Sequence, residues 1–165
     1  MKKAYFAGGC FWCITPIFKI YKATSVVSGY SGGDEVNPKY EDVKAQKTGH
    51  RETICVEYDE TLTDYDTLLE IYLSNVDPFD SEGQFIDKGF SYTLAIYYTD
   101  EVQRMAAENA LAILEKESGR KPAIALEPFK TFYPAEEYHQ DYYLKNPEGF
   151  KKELEESGRN KFFKN

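Results

Sequence analysis

The chain has 165 residues, 42% of them hydrophobic, with 14 Tyr, 11 Phe and one Trp; that content fills a single core and excludes a disordered tail protein. Twenty Lys and Arg face 28 Asp and Glu, a formal charge of −8, and Glu57 to Asp87 holds no basic residue, the wrong sign for a surface that tracks nucleic-acid phosphates. Three cysteines are too few for a secreted disulfide scaffold and suit a reducing cytoplasm, while no stretch reaches the ~18 apolar residues of a membrane span and the apolar run after Lys3 stops at Gly8-Gly9, too short for a secretory signal.

Tyr5-Phe6-Ala7 predicts a short buried strand that ends at the Gly8-Gly9 turn. From Phe11 the residues Ile14, Ile17, Phe18 and Tyr21 recur at helical spacing, which places Cys10 at a helix N-terminus and Cys13 one turn along. Pro16 falls in the first turns, where proline is tolerated. A strand is expected over Thr24–Ser28, ending at Gly29, followed by a glycine-rich surface loop from Tyr30 to Pro38. Glu52–Tyr58 alternates as a strand does. Thr63 and Asp64 can cap a helix that carries Leu68, Leu69, Ile71, Tyr72 and Leu73 and stops at Asp77-Pro78.

A second loop spans Phe79 to Gly89, before a strand over Tyr92–Tyr98. Asp100 opens the clearest helix, through Met105, Ala106, Leu111 and Leu114 to a Gly119 stop. Ala123–Glu127 is a further strand, and a polar aromatic stretch follows Pro134. The irregular alternation of strands and helices, without internal repeats, predicts one α+β domain over residues 1–165: a two-layer α/β sandwich with a ferredoxin-like core and long loops.

The chemistry concentrates at Cys10-Phe11-Trp12-Cys13. Free backbone amides and the helix dipole favour a thiolate at a helix N-terminus, so Cys10 reads as an exposed anionic nucleophile. A cysteine three residues on is near enough to bridge to it, which makes Cys10 and Cys13 a redox pair. Zinc would need two more ligands from Cys55, His50 and His139 with no second Cys-x-x-Cys present, so no metal is expected. Cys55 sits in an alternating strand and reads as a small buried residue. A Cys-x-x-Cys pair alone would suit a general thiol-disulfide oxidoreductase, but Phe11 and Trp12 between the sulfurs could wall an apolar pocket.

Five segments lie in order: Gly9-Cys10-Phe11-Trp12, Gly29-Tyr30-Ser31-Gly32-Gly33, Asn37-Pro38-Lys39-Tyr40, Thr48-Gly49-His50-Arg51-Glu52 and Tyr133-Pro134-Ala135-Glu136-Glu137-Tyr138-His139-Gln140. Together they make a chain that resembles the A class of peptide methionine sulfoxide reductases over nearly its whole length. The resemblance implies reduction of the S epimer of methionine sulfoxide, free or in oxidised proteins, without a bound cofactor and with an external dithiol such as thioredoxin as reductant. It makes Cys10 the nucleophile and Glu52 the acid that protonates the departing oxygen. Tyr40, Asp87 and Tyr92 match the residues that hold the oxygen and a water, and Phe11 and Trp12 match the walls around the substrate methyl group. His139 is a candidate for the pocket mouth. Many family members carry recycling cysteines in a C-terminal tail and glycine where this chain has Cys13. Residues 146–165 contain no cysteine, so Cys13 is expected to resolve the Cys10 sulfenic acid, with Cys55 as the remaining thiol.

Overall fold

A computed structural model describes residues 1–20, 23 and 25–159; Tyr21 and Thr24, assigned above to a helix and a strand, lie outside them. Six strands form one mixed sheet: β1 (Lys2–Gly8), β2 (Ser25–Ser31), β3 (Arg51–Tyr58), and, after a two-stranded hairpin β4 (Gly83–Gln84) and β5 (Asp87–Lys88), β6 (Leu94–Tyr98), β7 (Ile124–Pro128) and β8 (Phe132–Pro134), in the order β7-β6-β1-β3-β2-β8. All neighbours are antiparallel except β6 and β7. The helices are α1 (Phe11–Ile20), α2 (Tyr40–Lys44), α3 (Tyr65–Ser74), α4 (Glu101–Ser118), α5 (Tyr142–Lys145) and α6 (Pro147–Ser157).

Because side chains alternate along a strand, β1 presents Ala4 and Phe6 to α1, α3 and α4, and Tyr5 and Ala7 to the opposite face with Cys55, Ala95 and Tyr97. Phe6 is fully buried and stacks on Phe18 of α1 and Tyr72 of α3, with ring centroids 5.6 and 4.9 Å away. The second face is covered by Phe129 and Phe132, the former 4.1 Å from the Tyr5 ring. With both faces covered, β1 and β3 are buried along most of their length, although β3 reads as an alternating strand.

The Asp64 and Asp100 caps are both present: each carboxylate accepts a backbone N–H three residues on, at 2.7 and 2.8 Å, and Gly119 closes α4 in the left-handed conformation. Several expectations need correction. β2 continues to Ser31 rather than ending at Gly29, because Gly29, Tyr30 and Ser31 pair with both β3 and β8. β6 starts at Leu94; Tyr92 instead ends a 3-10 turn, Phe90–Tyr92. The Phe79–Gly89 loop contains the hairpin, and α2 follows the Tyr30–Pro38 loop; both are too short to show a periodicity. Met105 is exposed, since α4 docks through Gln103 and Ala107. Pro16 lies in the second turn of α1, where it denies the Trp12 carbonyl its usual donor.

Candidate active site

β1 ends at the Gly8-Gly9 turn, with Gly9 at φ 84°, and so delivers Cys10 immediately before the first turn of α1. A side chain at Gly8 would run into Ile14 and one at Gly9 into Gln84. Around that turn four other segments converge. Glu52 comes from the start of β3, held by its neighbour Arg51, which donates to Thr93 Oγ1, Tyr97 Oη and Glu127 Oε2 at 2.9, 3.0 and 3.2 Å. Asp87 comes from the hairpin, whose buried Gln84 accepts from Asp77 N and donates to Asp77 O, both at 2.8 Å. Tyr92 follows Ser91, whose amide and hydroxyl are held by the Gln46 side-chain amide at 2.9 and 2.8 Å. Tyr40 opens α2, its amide donating to Glu136 Oε2 at 3.1 Å while Tyr30 Oη donates to Glu136 Oε1 at 2.8 Å.

The side chains expected at the site from sequence therefore meet. Tyr40 and Tyr92 both feel the charges of Glu52, Cys10 and Asp87, and burial first, then those neighbours, hold their hydroxyls protonated. Phe11 and Trp12 each lie 6.4 Å from the Tyr40 ring. Phe11 is buried, whereas Trp12 is half-buried and stacks on Tyr142 at 4.1 Å. Trp12 Nε1 donates to His139 Nδ1 at 3.0 Å; burial lowers the pKa of His139, which keeps it neutral and able to accept. Cys55 lies on the other sheet face beside Tyr5, as a small buried residue should.

Glu52 is 1% exposed. One oxygen, Oε1, accepts the Phe11 amide at 3.2 Å; the other, Oε2, is buried without a partner. Burial is the largest cause that raises its pKa from 4.5 to about 8, opposed by the Phe11 amide and reinforced by Asp87 and Cys13, so the carboxyl is neutral at pH 7 and can donate from Oε2.

The thiols differ from expectation. Cys10 is 7% exposed, so it is buried and not the exposed thiolate that its place at the helix start suggests. Its sulfur is hydrogen-bonded to Cys13. That bond, burial, and the charges of Cys13, Glu52 and Asp87 raise the Cys10 thiol well above the ordinary range. The same bond lowers Cys13, aided by Arg159 against the cost of burial. Cys13 is thus the more acidic of the two thiols and Cys10 the less acidic.

The family model for peptide methionine sulfoxide reductase matches residues 2–165. The chain belongs to that family. The reductase is 47% identical over 166 residues to peptide methionine sulfoxide reductase MsrA of Halalkalibacterium halodurans, covering 98% of this chain and 94% of that one. Its fold matches the crystal structure of Mxr1 from Saccharomyces cerevisiae in reduced form with a TM-score of 0.85 at 29% identity, over 90% of this chain and 87% of that one. It also matches Mxr1 in complex with Trx2, with a TM-score of 0.58 at 19% identity, over 86% and 84%. The enzyme reduces methionine sulfoxide. Among its described residues no helix is long and apolar enough to cross a membrane.

Four residues near the site escaped the sequence reading. Glu136 and Gln140 lie inside a quoted motif, yet only the tertiary contacts show that Glu136 holds Tyr40 and that Gln140 pins Ser28 through both its backbone groups. Glu153 and Arg159 come from the chain's last described turns and carry no sequence signal; the Glu153 carboxylate lies within 4.8 Å of both the Cys10 sulfur and the Asp87 carboxylate.

Proposed function

We propose that the chain reduces the S epimer of methionine sulfoxide, free or in proteins, as one catalytic domain, with Cys10 as nucleophile, Cys13 as resolving thiol and Glu52 as acid. The observation that carries the reading is the neutral, unpartnered Oε2 of Glu52 beside Cys10. A sulfoxide oxygen leaves only when protonated, and a buried carboxyl with a free proton can supply it. Tyr40, Asp87 and Tyr92 orient that oxygen and a water. The tyrosine hydroxyls donate to the developing charge without adding their own. Phe11 and Trp12 wall the methyl group. The A-class resemblance decides for the S epimer.

In the first step the Cys10 sulfur attacks the substrate sulfur while Glu52 protonates its oxygen, and the Cys10 proton passes to the Cys13 thiolate through their hydrogen bond. The sulfur–oxygen bond of the substrate breaks. The released hydroxide bonds to the Cys10 sulfur as the sulfur–sulfur bond breaks, so methionine leaves reduced, Cys10 becomes a sulfenic acid, and Glu52 is left as the anion. Cys13 then attacks the Cys10 sulfur: the disulfide forms, the S–OH bond breaks, and the Cys13 proton leaves with the hydroxide as water. Contact between the two sulfurs supports Cys13 in this role, as does the place of Cys55 on the opposite sheet face. A dithiol returns the pair to the reduced state by exchange. Thioredoxin is the proposed reductant, consistent with the recorded complex of Mxr1 with Trx2, and reduced thiols of this kind suit the cytoplasm. The β6-β1-β3-β2 strand order with α1 and α3 as crossovers supports reading the core as a ferredoxin-like two-layer sandwich.

The test is an epimer-resolved assay with dithiothreitol on the parent and Cys10→Ser. Loss of the S epimer alone, and none with Cys10→Ser, is the expected result. Loss of the R epimer only, or full activity in Cys10→Ser, would overturn the proposal. Insulin reduction faster than sulfoxide reduction would point to a general thiol-disulfide oxidoreductase instead.

A further inference from the structure

Arg159 lies just beyond α6 and is 4% exposed. Its Nη1 donates to the Asn75 carbonyl at 2.6 Å and its Nη2 to the Gly8 carbonyl at 3.4 Å, with the guanidinium 4.6 Å above the Phe85 ring. The same Nη2 is 3.6 Å from where a Gly9 side chain would begin, so the cation sits against the turn that presents Cys10. None of the described ion pairs includes it. A buried guanidinium held only by neutral carbonyls keeps most of its desolvation cost unless anions lie near. The anions it faces are those of the active site.

We propose that Arg159 is a positioning residue of the reductase: clamped to the carbonyls of Gly8 and Asn75 under the Gly8-Gly9 turn, its fixed charge holds a thiolate on the Cys10–Cys13 pair. The inference rests on the reading of that pair given above. The groups that face the sulfurs otherwise do not favour a thiolate: Asp87 on β5 and Glu153 on α6 are acidic, and Glu52 on β3, Tyr40 and Tyr92 are neutral at pH 7. Lys44 and Lys88 act on Glu52 and Asp87 from the surface. Arg159 is the cation that bears directly on both sulfurs and on Asp87, and although burial lowers its own pKa, it remains charged. A thiolate on Cys13 takes the Cys10 proton in the first step, so a cation that keeps the resting pair singly ionised prepares that step.

The experiment is a pH titration of thiolate ultraviolet absorbance on the full, reduced chain without substrate, corrected with a Cys10→Ser/Cys13→Ser double variant, alongside melting temperatures. Arg159→Gln keeps donors for the two carbonyls and removes the charge; it should move the onset of thiolate formation up by roughly one pH unit. Arg159→Lys keeps the charge and should titrate near the parent. Glu153→Gln removes an opposing charge and should move the onset down. A merely structural clamp would lower melting in the Arg159 variants and leave all onsets unchanged, which overturns the proposal. Should Arg159→Gln fail to fold, Arg159→Lys and Glu153→Gln decide: an Arg159→Lys onset shifted up with Glu153→Gln unmoved refutes it. Because no substrate is present, this test can fail while Cys10→Ser still abolishes reduction, and the two readings stay separable.

Discussion

Replacing Glu52 by Gln isolates the proton that the mechanism needs. The amide keeps the side chain's shape and its Oε1 acceptor for the Phe11 N–H but holds no transferable proton. General acid catalysis is worth about 10²–10⁴-fold, so Glu52→Gln should lose kcat/KM in that range with S-sulfoxide. The parent rate should decline as pH rises through about 8, where Glu52 ionises, and the residual rate of Glu52→Gln should lack that decline. Stability should also fall as pH rises in the parent, and the substitution should raise it. A carboxyl raised in the folded state binds a proton there that the unfolded chain has released, so between pH 4.5 and about 8 the parent loses stability as pH rises, by about 1.4 kcal/mol per pH unit across that window. Below the window the carboxyl is neutral in both states and costs nothing; above it the cost is complete and amounts to roughly a few kcal/mol. The amide escapes the cost, so Glu52→Gln should melt above the parent at pH 9 and alongside it at pH 5. Urea unfolding at the two pH values and a stopped assay across pH 6–9 read both effects. A variant that keeps the parent rate and its decline near pH 8, or that is the less stable protein at pH 9, would refute the assignment of Glu52 as a buried neutral acid.

Other perturbations bear on separate parts of the site. Cys13→Ser should release one methionine per chain in a single turnover and then stall with a sulfenic acid that dimedone traps; mass spectrometry showing steady turnover with thioredoxin would count against Cys13 as resolver. Trp12→Phe removes the donor to His139 Nδ1 and part of the stack on Tyr142, a loss of about 1 kcal/mol; KM should rise about fivefold with kcat little changed, and an unchanged KM would remove Trp12 from the pocket wall. Gly29→Ala places a methyl group 2.4 Å from the Tyr133 carbonyl and from Phe132 Cζ, so it should cost about 1–3 kcal/mol and melt several degrees lower, a shift that calorimetry resolves.

Local signals in the sequence are strong where one short segment holds the whole cause. The two aspartate caps, the Gly119 stop and the turn before Cys10 each depend on a few neighbouring residues, and they were readable for that reason. Their limits appear at α2 and the β4–β5 hairpin, too short for a periodicity, and at Gly29–Ser31, which become strand because β3 pairs with them on one side and β8, from a hundred residues away, on the other. The choice of Glu52 rested on motif order, since an isolated Glu at the start of an alternating strand more often faces water.

The sequence by itself determined the family, and it singled out Cys10 as the proposed nucleophile and Cys13, one helical turn on, as its proposed partner, because these are matters of residue type and short spacing. The tertiary structure decided the protonation states. Helix position alone argues for a thiolate at Cys10, but burial, the bond to Cys13 and the acidic residues that β3, β5 and α6 bring beside it raise its pKa and leave Cys13 the more acidic of the two thiols. Charges from distant parts of the chain meet there in a site of low dielectric, and no reading of local spacing can sum them.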